Sequence, residues 1–252
     1  MPESTPRPWF RRVTFHSVLA GLCPLIPVPF LDDRVLAAVR RKMVRDLAAE
    51  RGVALDAERV DVLAGIGRER RGCLGTAAWI AFSLTVRLLG KVFRKVLIVF
   101  AVKESVDTAS RTFHEGYLLH LAFQWAPAWS GAEGEGPAPD ALDPGRAVGL
   151  RRIVERTVAE ADPRPVEQVL RRAFRGSRGL LRRAAGVLRR SARRTESLPE
   201  SEERRLLGGL LDSLVAELWE EQGYLQALED RFRGHLTEAS AGRPRRLLDA
   251  PC

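Results

Sequence analysis

The sequence is poor in the residues that build disulfide frameworks and metal sites. Its 252 residues include three cysteines, Cys23, Cys73 and Cys252, which are isolated from one another and odd in number. There is no C-x-x-C pair and no cluster of histidine, cysteine and acidic residues. Because disulfide scaffolds and zinc sites need paired or clustered ligands, the sequence predicts neither, and a reducing cytoplasm is the simplest compartment. We expect no metal and no cofactor.

Strand patterns are also lacking. No run alternates apolar and polar side chains as a half-buried strand does, whereas apolar residues recur at three- and four-residue spacing along much of the chain. Hydrophobic residues make up 45% of the sequence, which is enough to form a folded core. The predicted fold class is all-α, with an N-terminal apolar helical bundle and a C-terminal three-helix unit.

The composition changes sharply at residues 127–146. This stretch holds four prolines, four glycines and four acidic residues, a mixture that does not support a packed element. We therefore predict a flexible linker here, between an apolar helical domain at 1–126 and an amphipathic helical domain at 147–240. Residues 241–252 are predicted to be a frayed tail.

Start and stop signals locate helices in the first segment. Asp32 or Asp33 precedes an amphipathic pattern that ends at Gly52, and Asp56 is a candidate cap for a short helix within 55–67. A further helix with polar and apolar stripes is predicted over 103–125. In the second segment, 147–161 is predicted to form one helix.

Two long helices are predicted after residue 165, and their charges are opposite. Residues 166–194 keep a 3.6-residue apolar period with an arginine-rich polar face, and 202–236 carry the acidic side chains. The basic face has three interpretations: a solvated face partly neutralised by the acidic helix, a contact with an anionic bilayer surface, or a nucleic-acid contact. The last is disfavoured because interleaved aromatics and a recognised binding motif are missing. The predicted anionic-surface contacts are Arg171, Arg172, Arg175, Arg182, Arg183, Arg189 and Arg190.

The length of the longest apolar stretch, 73–102, is intermediate between that of a membrane-spanning helix and that of a core or interfacial helix. A spanning helix needs about 20 apolar residues, and one of 10–14 is more often core or interfacial. The stretch therefore fits either a membrane-embedded or interfacial segment, or a buried hairpin of a soluble core. A second apolar segment, 19–31, is broken by three prolines and could enter a bilayer interface or cap the bundle. The predicted membrane-contacting residues are Pro24, Ile26, Pro27, Pro29, Phe30, Trp79, Ile80 and Phe82.

Candidate catalytic patterns are weak. His114 and His120 are six residues apart, about 120° apart on a helix, whereas a zincin helix places two histidines four apart on one face. Helical polar surface is therefore expected for both. Asp107, Arg111 and Glu115 are spaced by four, which favours a solvated ion-pair ladder over a polar site inside an apolar layer. No nucleophile has a convincing base, so the sequence predicts no enzyme.

One resemblance is carried by Ile26, Pro27 and Pro29, by the following aspartates, and by a helix of the form V-x-x-x-M-V-x-x-L-A. The helix residues here are Val39, Met43, Val44, Leu47 and Ala48. This region, roughly 15–125, resembles the helical domain often fused behind Era-like GTPase domains in bacteria. The resemblance implies membrane association, no enzymatic activity of its own, and a GTPase as partner.

Together these observations predict a non-enzymatic interaction or scaffold protein on the cytoplasmic side of the inner membrane, peripheral or shallowly embedded, with an anionic membrane surface as partner. The alternative is a fully soluble helical adaptor that binds an acidic protein partner. Which of the two applies depends on whether 73–102 is exposed or buried in the folded chain.

Overall fold

The computed structural model describes residues 6–25, 31–66, 94–129, 143–194 and 200–241. All of the regular secondary structure within these ranges is helical, as predicted. A 3₁₀ turn, Cys23–Leu25, follows the first helix. The α-helices are α1 Pro8–Leu22, α2 Leu31–Glu50, α3 Ala57–Leu63, α4 Arg94–Trp129, α5 Pro144–Glu160, α6 Arg164–Gly176, α7 Arg178–Arg194, α8 Glu200–Glu220 and α9 Gln222–Ala241.

Helix α1 lies at the centre of the bundle. Nearly all of its side chains are buried, and it contacts α2, α4, α7 and α8. A helix that is buried on every side must satisfy its own polar groups, and the hydroxyls of Thr14 and Ser17 do so by donating to the carbonyls of Phe10 and Val13 at 2.9 and 2.8 Å. Helix α1 therefore forms the hydrophobic axis around which the other helices pack.

The predicted signals at Gly52 and Asp56 are confirmed, whereas the prediction that Asp32 or Asp33 precedes and caps α2 is wrong. Helix α2 begins at Leu31, so both aspartates lie within its first turn, where acidic side chains interact favourably with the positive end of the helix dipole. Gly52 ends this helix with a φ of 68°, a conformation that strongly favours glycine. Asp56 caps α3 by accepting a hydrogen bond from the backbone N–H of Arg59 at 2.8 Å.

The N-terminal and C-terminal segments share one core. A single cluster of buried side chains contains Phe10 and Phe113 from the first segment and Phe174 and Phe232 from the second. Helix α4 contacts α5, α6 and α9, which brings the two segments together. Most of the predicted linker, 130–142, lies outside the described residues, and α5 already begins at Pro144.

Two predicted helix extents are wrong. The helix predicted at 166–194 is interrupted at Ser177, which separates α6 from α7, because Gly176 and Gly179 weaken the helix there. The helix predicted at 202–236 is interrupted at Glu221, which separates α8 from α9. There the side chain of Gln222 donates to the carbonyl of Trp219 at 2.8 Å and takes the place of a continued helical hydrogen bond.

Most of the apolar stretch 73–102 lies outside the described residues, which resume at Arg94. None of the helices in the described ranges combines the length and the apolar character that crossing a bilayer requires. The choice between an embedded and a core position for 73–102 therefore stays open.

The contact between α1 and α4 predicts the effect of one substitution. A Cβ added at Gly21 would lie 2.8 Å from the carbonyl oxygen of Ser105 and 2.9 Å from the Cβ of Ala109. We expect Gly21→Ala to lower the free energy of unfolding by about 1–3 kcal/mol, because neither backbone can yield without disturbing the core. Urea denaturation monitored by circular dichroism measures this.

Gly234→Ala is the matched control, since an added Cβ at this position in α9 meets nothing within 4 Å. It should raise the stability by up to about 1 kcal/mol through helix propensity alone. A Gly21→Ala variant that was as stable as the Gly234→Ala variant would contradict close packing of α1 on α4.

Candidate functional site

A buried ion-pair network joins α3, α4 and α5. Arg151 donates from Nη2 to Oε1 of Glu115 at 2.9 Å and from Nε to Oε1 of Glu155 at 2.9 Å. Its Nη1 donates to the carbonyl oxygen of Leu63, the last residue of α3, at 3.0 Å. The same Oε1 of Glu115 also accepts from Nε of Arg111 at 3.0 Å. Each charged member is therefore bound by at least one partner of opposite sign.

The network keeps Glu115 ionised although it is buried. Burial by itself raises the pKa of this carboxyl, but the positive charge of Arg151, with those of Arg40 and Arg111, outweighs burial and holds the pKa below its ordinary value. Only 2% of Glu115 and 4% of Arg151 are exposed. A buried pair of this kind contributes strongly to stability only while both partners are present.

His114 connects α4 to α9. Its Nδ1 lies 2.6 Å from the carbonyl oxygen of Ser110, which can only accept, so Nδ1 carries the proton. Nε2 is then the acceptor for the hydroxyl of Tyr224, at 2.5 Å. Burial lowers the pKa of His114 and keeps the imidazole neutral, as this hydrogen-bond pattern requires.

His120 lies two turns further along α4 and stacks on Trp9 of α1. The ring centroids are 3.8 Å apart and the planes are 8° from parallel. Nη2 of Arg51 approaches Nε2 of His120 at 3.1 Å, so this nitrogen is unprotonated. Burial, together with the charges of Arg51 and Arg7, lowers the pKa of His120 to about 3. His120 is therefore a neutral packing residue at physiological pH.

The expectation that His114 and His120 lie on a polar helical surface is wrong. His114 is 1% exposed because Tyr224 of α9 covers it, and His120 is 0% exposed because Trp9 of α1 covers it. The expectation of solvated side chains in the ladder holds for Asp107, which is exposed, and is wrong for Glu115. Periodicity alone could not distinguish these cases, since the covering residues come from distant parts of the chain.

The free thiol of Cys23 is buried. Burial raises its pKa to about 12, so it stays protonated and is a poor nucleophile. No group of three or more metal-ligating side chains comes together in the described residues. The buried Glu115 and His114 of α4 bind Arg151 of α5 and Tyr224 of α9 and so connect these helices. That the chain is not an enzyme stays a prediction.

An open cleft of about 360 Å³ lies beside the ion-pair network, between α4, the end of α5 and the start of α6. It is lined by residues of these three elements that include Asp107, Ser110, Glu155 and Glu167. Sequence analysis did not identify this cleft, because the lining residues are separated by more than one predicted element.

The predicted anionic-surface contacts lie on α6 and α7. Arg171, Arg172, Arg175 and Arg183 are exposed, while the side chains of Arg182, Arg189 and Arg190 lie outside the described residues. Two of the exposed arginines approach acidic groups: Arg171 lies 3.9 Å from Glu167 and Arg172 lies 3.4 Å from Glu217. The second contact brings one carboxylate of the predicted acidic helix against the basic face, as the interpretation of a partly neutralised face expects.

Of the predicted membrane-contacting residues, the structure describes one. Pro24 is partly buried in the 3₁₀ turn after α1. The other predicted contacts lie outside the described residues: Ile26, Pro27, Pro29, Phe30, Trp79, Ile80 and Phe82.

Comparison of the chain with protein-family models, with curated proteins and with solved structures finds no match. The resemblance to the helical domain found behind Era-like GTPase domains therefore stays a prediction.

The ion-pair network predicts a large effect for Arg151→Met. The substitution removes the only cation that binds Glu115 from inside the core and leaves Arg111 and the more distant charge of Arg40. We expect the free energy of unfolding to fall by about 3 kcal/mol or more. Arg156→Met is the matched control, because Arg156 makes the same hydrogen bond to a glutamate four residues on, at 3.0 Å, on an exposed face. It should change the stability little. Equal losses in the two variants, measured by urea denaturation, would contradict the network.

The buried histidines predict a pH dependence. The folded-state pKa values of His114 and His120 lie below the unfolded value of about 6.5, so the unfolded state binds more protons below that pH. Stability is fully present above pH 6.5 and falls as the pH drops towards 3. Each such histidine contributes a slope of at most about 1.4 kcal/mol per pH unit.

His120→Phe should flatten this slope, since it preserves a ring against Trp9 and removes one titrating group. Unfolding free energies from urea titrations at pH 7.5, 6 and 5 provide the comparison with the unsubstituted protein. An unchanged slope would show that His120 takes up a proton in the folded state as readily as in the unfolded state.

Proposed function

We propose that this protein is a non-enzymatic helical interaction protein that attaches to an anionic membrane surface through the outward arginines of α6 and α7. We call the exposed arginines Arg171, Arg172, Arg175 and Arg183 the arginine face. The observation that carries the proposal is the division of these two helices into a buried apolar side and an exposed basic side.

The apolar side of α6 and α7 packs inside the protein. Val169, Leu170 and Phe174 of α6 and Leu181 and Leu188 of α7 are each at most 4% exposed. In the folded state these side chains do not reach the acyl region of a bilayer. Attachment through this surface therefore depends on charge, and it should weaken as salt screens the lipid headgroups.

Part of the arginine face has no acidic partner among the described residues. Arg172 approaches Glu217 and Arg171 approaches Glu167, but Arg175 and Arg183 form no ion pair within the part of the chain that the structure describes. Each basic residue near an anionic bilayer contributes about 1 kcal/mol to attachment. Two unpaired arginines, with the partly paired ones beside them, support a weak and salt-sensitive association.

The alternative is a helical adaptor that uses the same face to bind an acidic protein. The contact between Arg172 and Glu217 favours it, because it shows that carboxylates of a helix fit against this surface. A GTPase partner is supported by the resemblance alone. Vesicle binding separates the two proposals, since an adaptor has no affinity for lipid.

The test is the triple variant Arg171→Glu, Arg175→Glu and Arg183→Glu. Co-sedimentation with vesicles of 30% phosphatidylglycerol in phosphatidylcholine should show the unsubstituted protein bound at about 50 mM salt and released at about 500 mM, because the Debye length shortens. The triple variant should lose at least about tenfold in partition coefficient, as three contacts of about 1 kcal/mol each are reversed.

The control variant carries Arg34→Glu, Arg45→Glu and Arg152→Glu, three exposed arginines on α2 and α5. Both variants change the net charge by the same amount, so a general charge effect would weaken them equally. Equal binding of the two variants would contradict the arginine face as the attachment surface. Absence of binding by the unsubstituted protein at low salt would favour the soluble adaptor.

A further inference from the structure

Helix α8 lies against the two helices that carry the arginine face, since it contacts both α6 and α7. Its buried side chains recur at helical spacing, join the common core and are each at most 4% exposed: Leu207, Leu211, Leu214 and Leu218. Because this apolar stripe is fixed in the core, the polar residues that flank it are held beside α6 and α7.

Glu217 is one of these flanking residues. It directly precedes Leu218, and its Oε2 lies 3.4 Å from Nη2 of Arg172 on α6. The Arg172 side chain is 69% exposed and that of Glu217 is 41% exposed, so the ion pair is at the surface. An exposed ion pair adds little to the stability of a fold, because water and salt screen it. The main consequence of the contact therefore concerns what Arg172 can bind.

The carboxylate of Glu217 offers an arginine the same interaction as the phosphate of a lipid headgroup. Both groups carry negative charge on oxygens that accept hydrogen bonds from a guanidinium group. If Arg172 turns to a lipid phosphate it loses the carboxylate, so the gain from one contact is offset by the loss of the other. Arg175 and Arg183 form no ion pair within the described residues and carry no such cost.

We propose that Glu217 competes with the anionic membrane for Arg172, and that this autoinhibitory contact holds the affinity of the arginine face below what its charge alone would give. The role assigned to Glu217 rests on the proposed membrane attachment, because it concerns the same surface. Removal of the carboxylate releases Arg172 for the membrane and leaves the fold intact.

The experiment measures the partition of Glu217→Gln, Arg172→Gln and the double variant onto vesicles of phosphatidylglycerol and phosphatidylcholine at about 50 mM salt. Glu217→Gln should bind about threefold to fivefold more tightly than the unsubstituted protein, which is the most that an exposed ion pair accounts for. In the Arg172→Gln background the same substitution should change binding by less than about twofold, because the arginine that it releases is absent. An equal gain in both backgrounds would overturn the proposal.

Glu220→Gln is the matched control. Glu220 is exposed, lies three residues further along α8 and forms no ion pair within the part of the chain that the structure describes. The two single glutamine variants have the same net charge, so repulsion between carboxylates and anionic lipid is relieved in both. Equal tightening in these two variants would show a general charge effect and would contradict competition for Arg172.

Thermal unfolding checks that the fold is kept. The thermal midpoint of Glu217→Gln should fall by no more than about 4 °C, because the ion pair is exposed. A larger fall would overturn the proposal, since a loosened fold would then account for tighter binding to vesicles.

The vesicle measurements separate the role of Glu217 from the membrane attachment itself. If the unsubstituted protein binds and Glu217→Gln binds no better, the competition is overturned and the arginine face stands as the attachment surface. If neither binds, both proposals are overturned. Binding of Glu217→Gln alone would support both, because it would show that the carboxylate withholds the surface from the membrane.

Discussion

The buried charge of Glu115 is the constraint on which the rest of the structure depends. A carboxylate inside a helical bundle must be bound by a cation, and Arg151 supplies it from a different segment of the chain. The same guanidinium group binds the last carbonyl of α3, so one side chain holds three helices together. Gly65 lies against it, where any larger residue would collide with the guanidinium nitrogen 2.6 Å from an added Cβ. The N-terminal and C-terminal segments are therefore joined by charge as well as by apolar packing.

The arginines of this protein serve two separate roles, and the structure distinguishes them by burial. Arg151 is 4% exposed and bound by three partners, and its removal is expected to destabilise the fold strongly. Arg175 and Arg183 are exposed, and their removal is expected to change only what the protein binds. The amino-acid composition does not distinguish the buried arginine from the exposed ones. Only their positions show that the basic character of the chain is part structural and part available to a partner.

The acidic cleft between α4, α5 and α6 and the arginine face carry charges of opposite sign. Glu167 and Arg171 are four residues apart on α6, with side chains 3.9 Å apart, so the two surfaces meet along this one helix. The first turn of α6 is acidic and lines the cleft, whereas its later turns carry exposed arginines.

The sequence by itself determined what depends on neighbouring residues. The all-α class, the cap at Asp56, the stop at Gly52 and the basic side of α6 follow from local geometry, since helical period and capping act within a few positions. The tertiary structure alone decided that His114 is buried and neutral and that Glu115 is buried and bound by Arg151. Arg151 is 36 residues from Glu115, and Tyr224 is 110 residues from His114. Whether a side chain is buried depends on which segments of the chain pack together. The periodicity of a single helix does not contain this information.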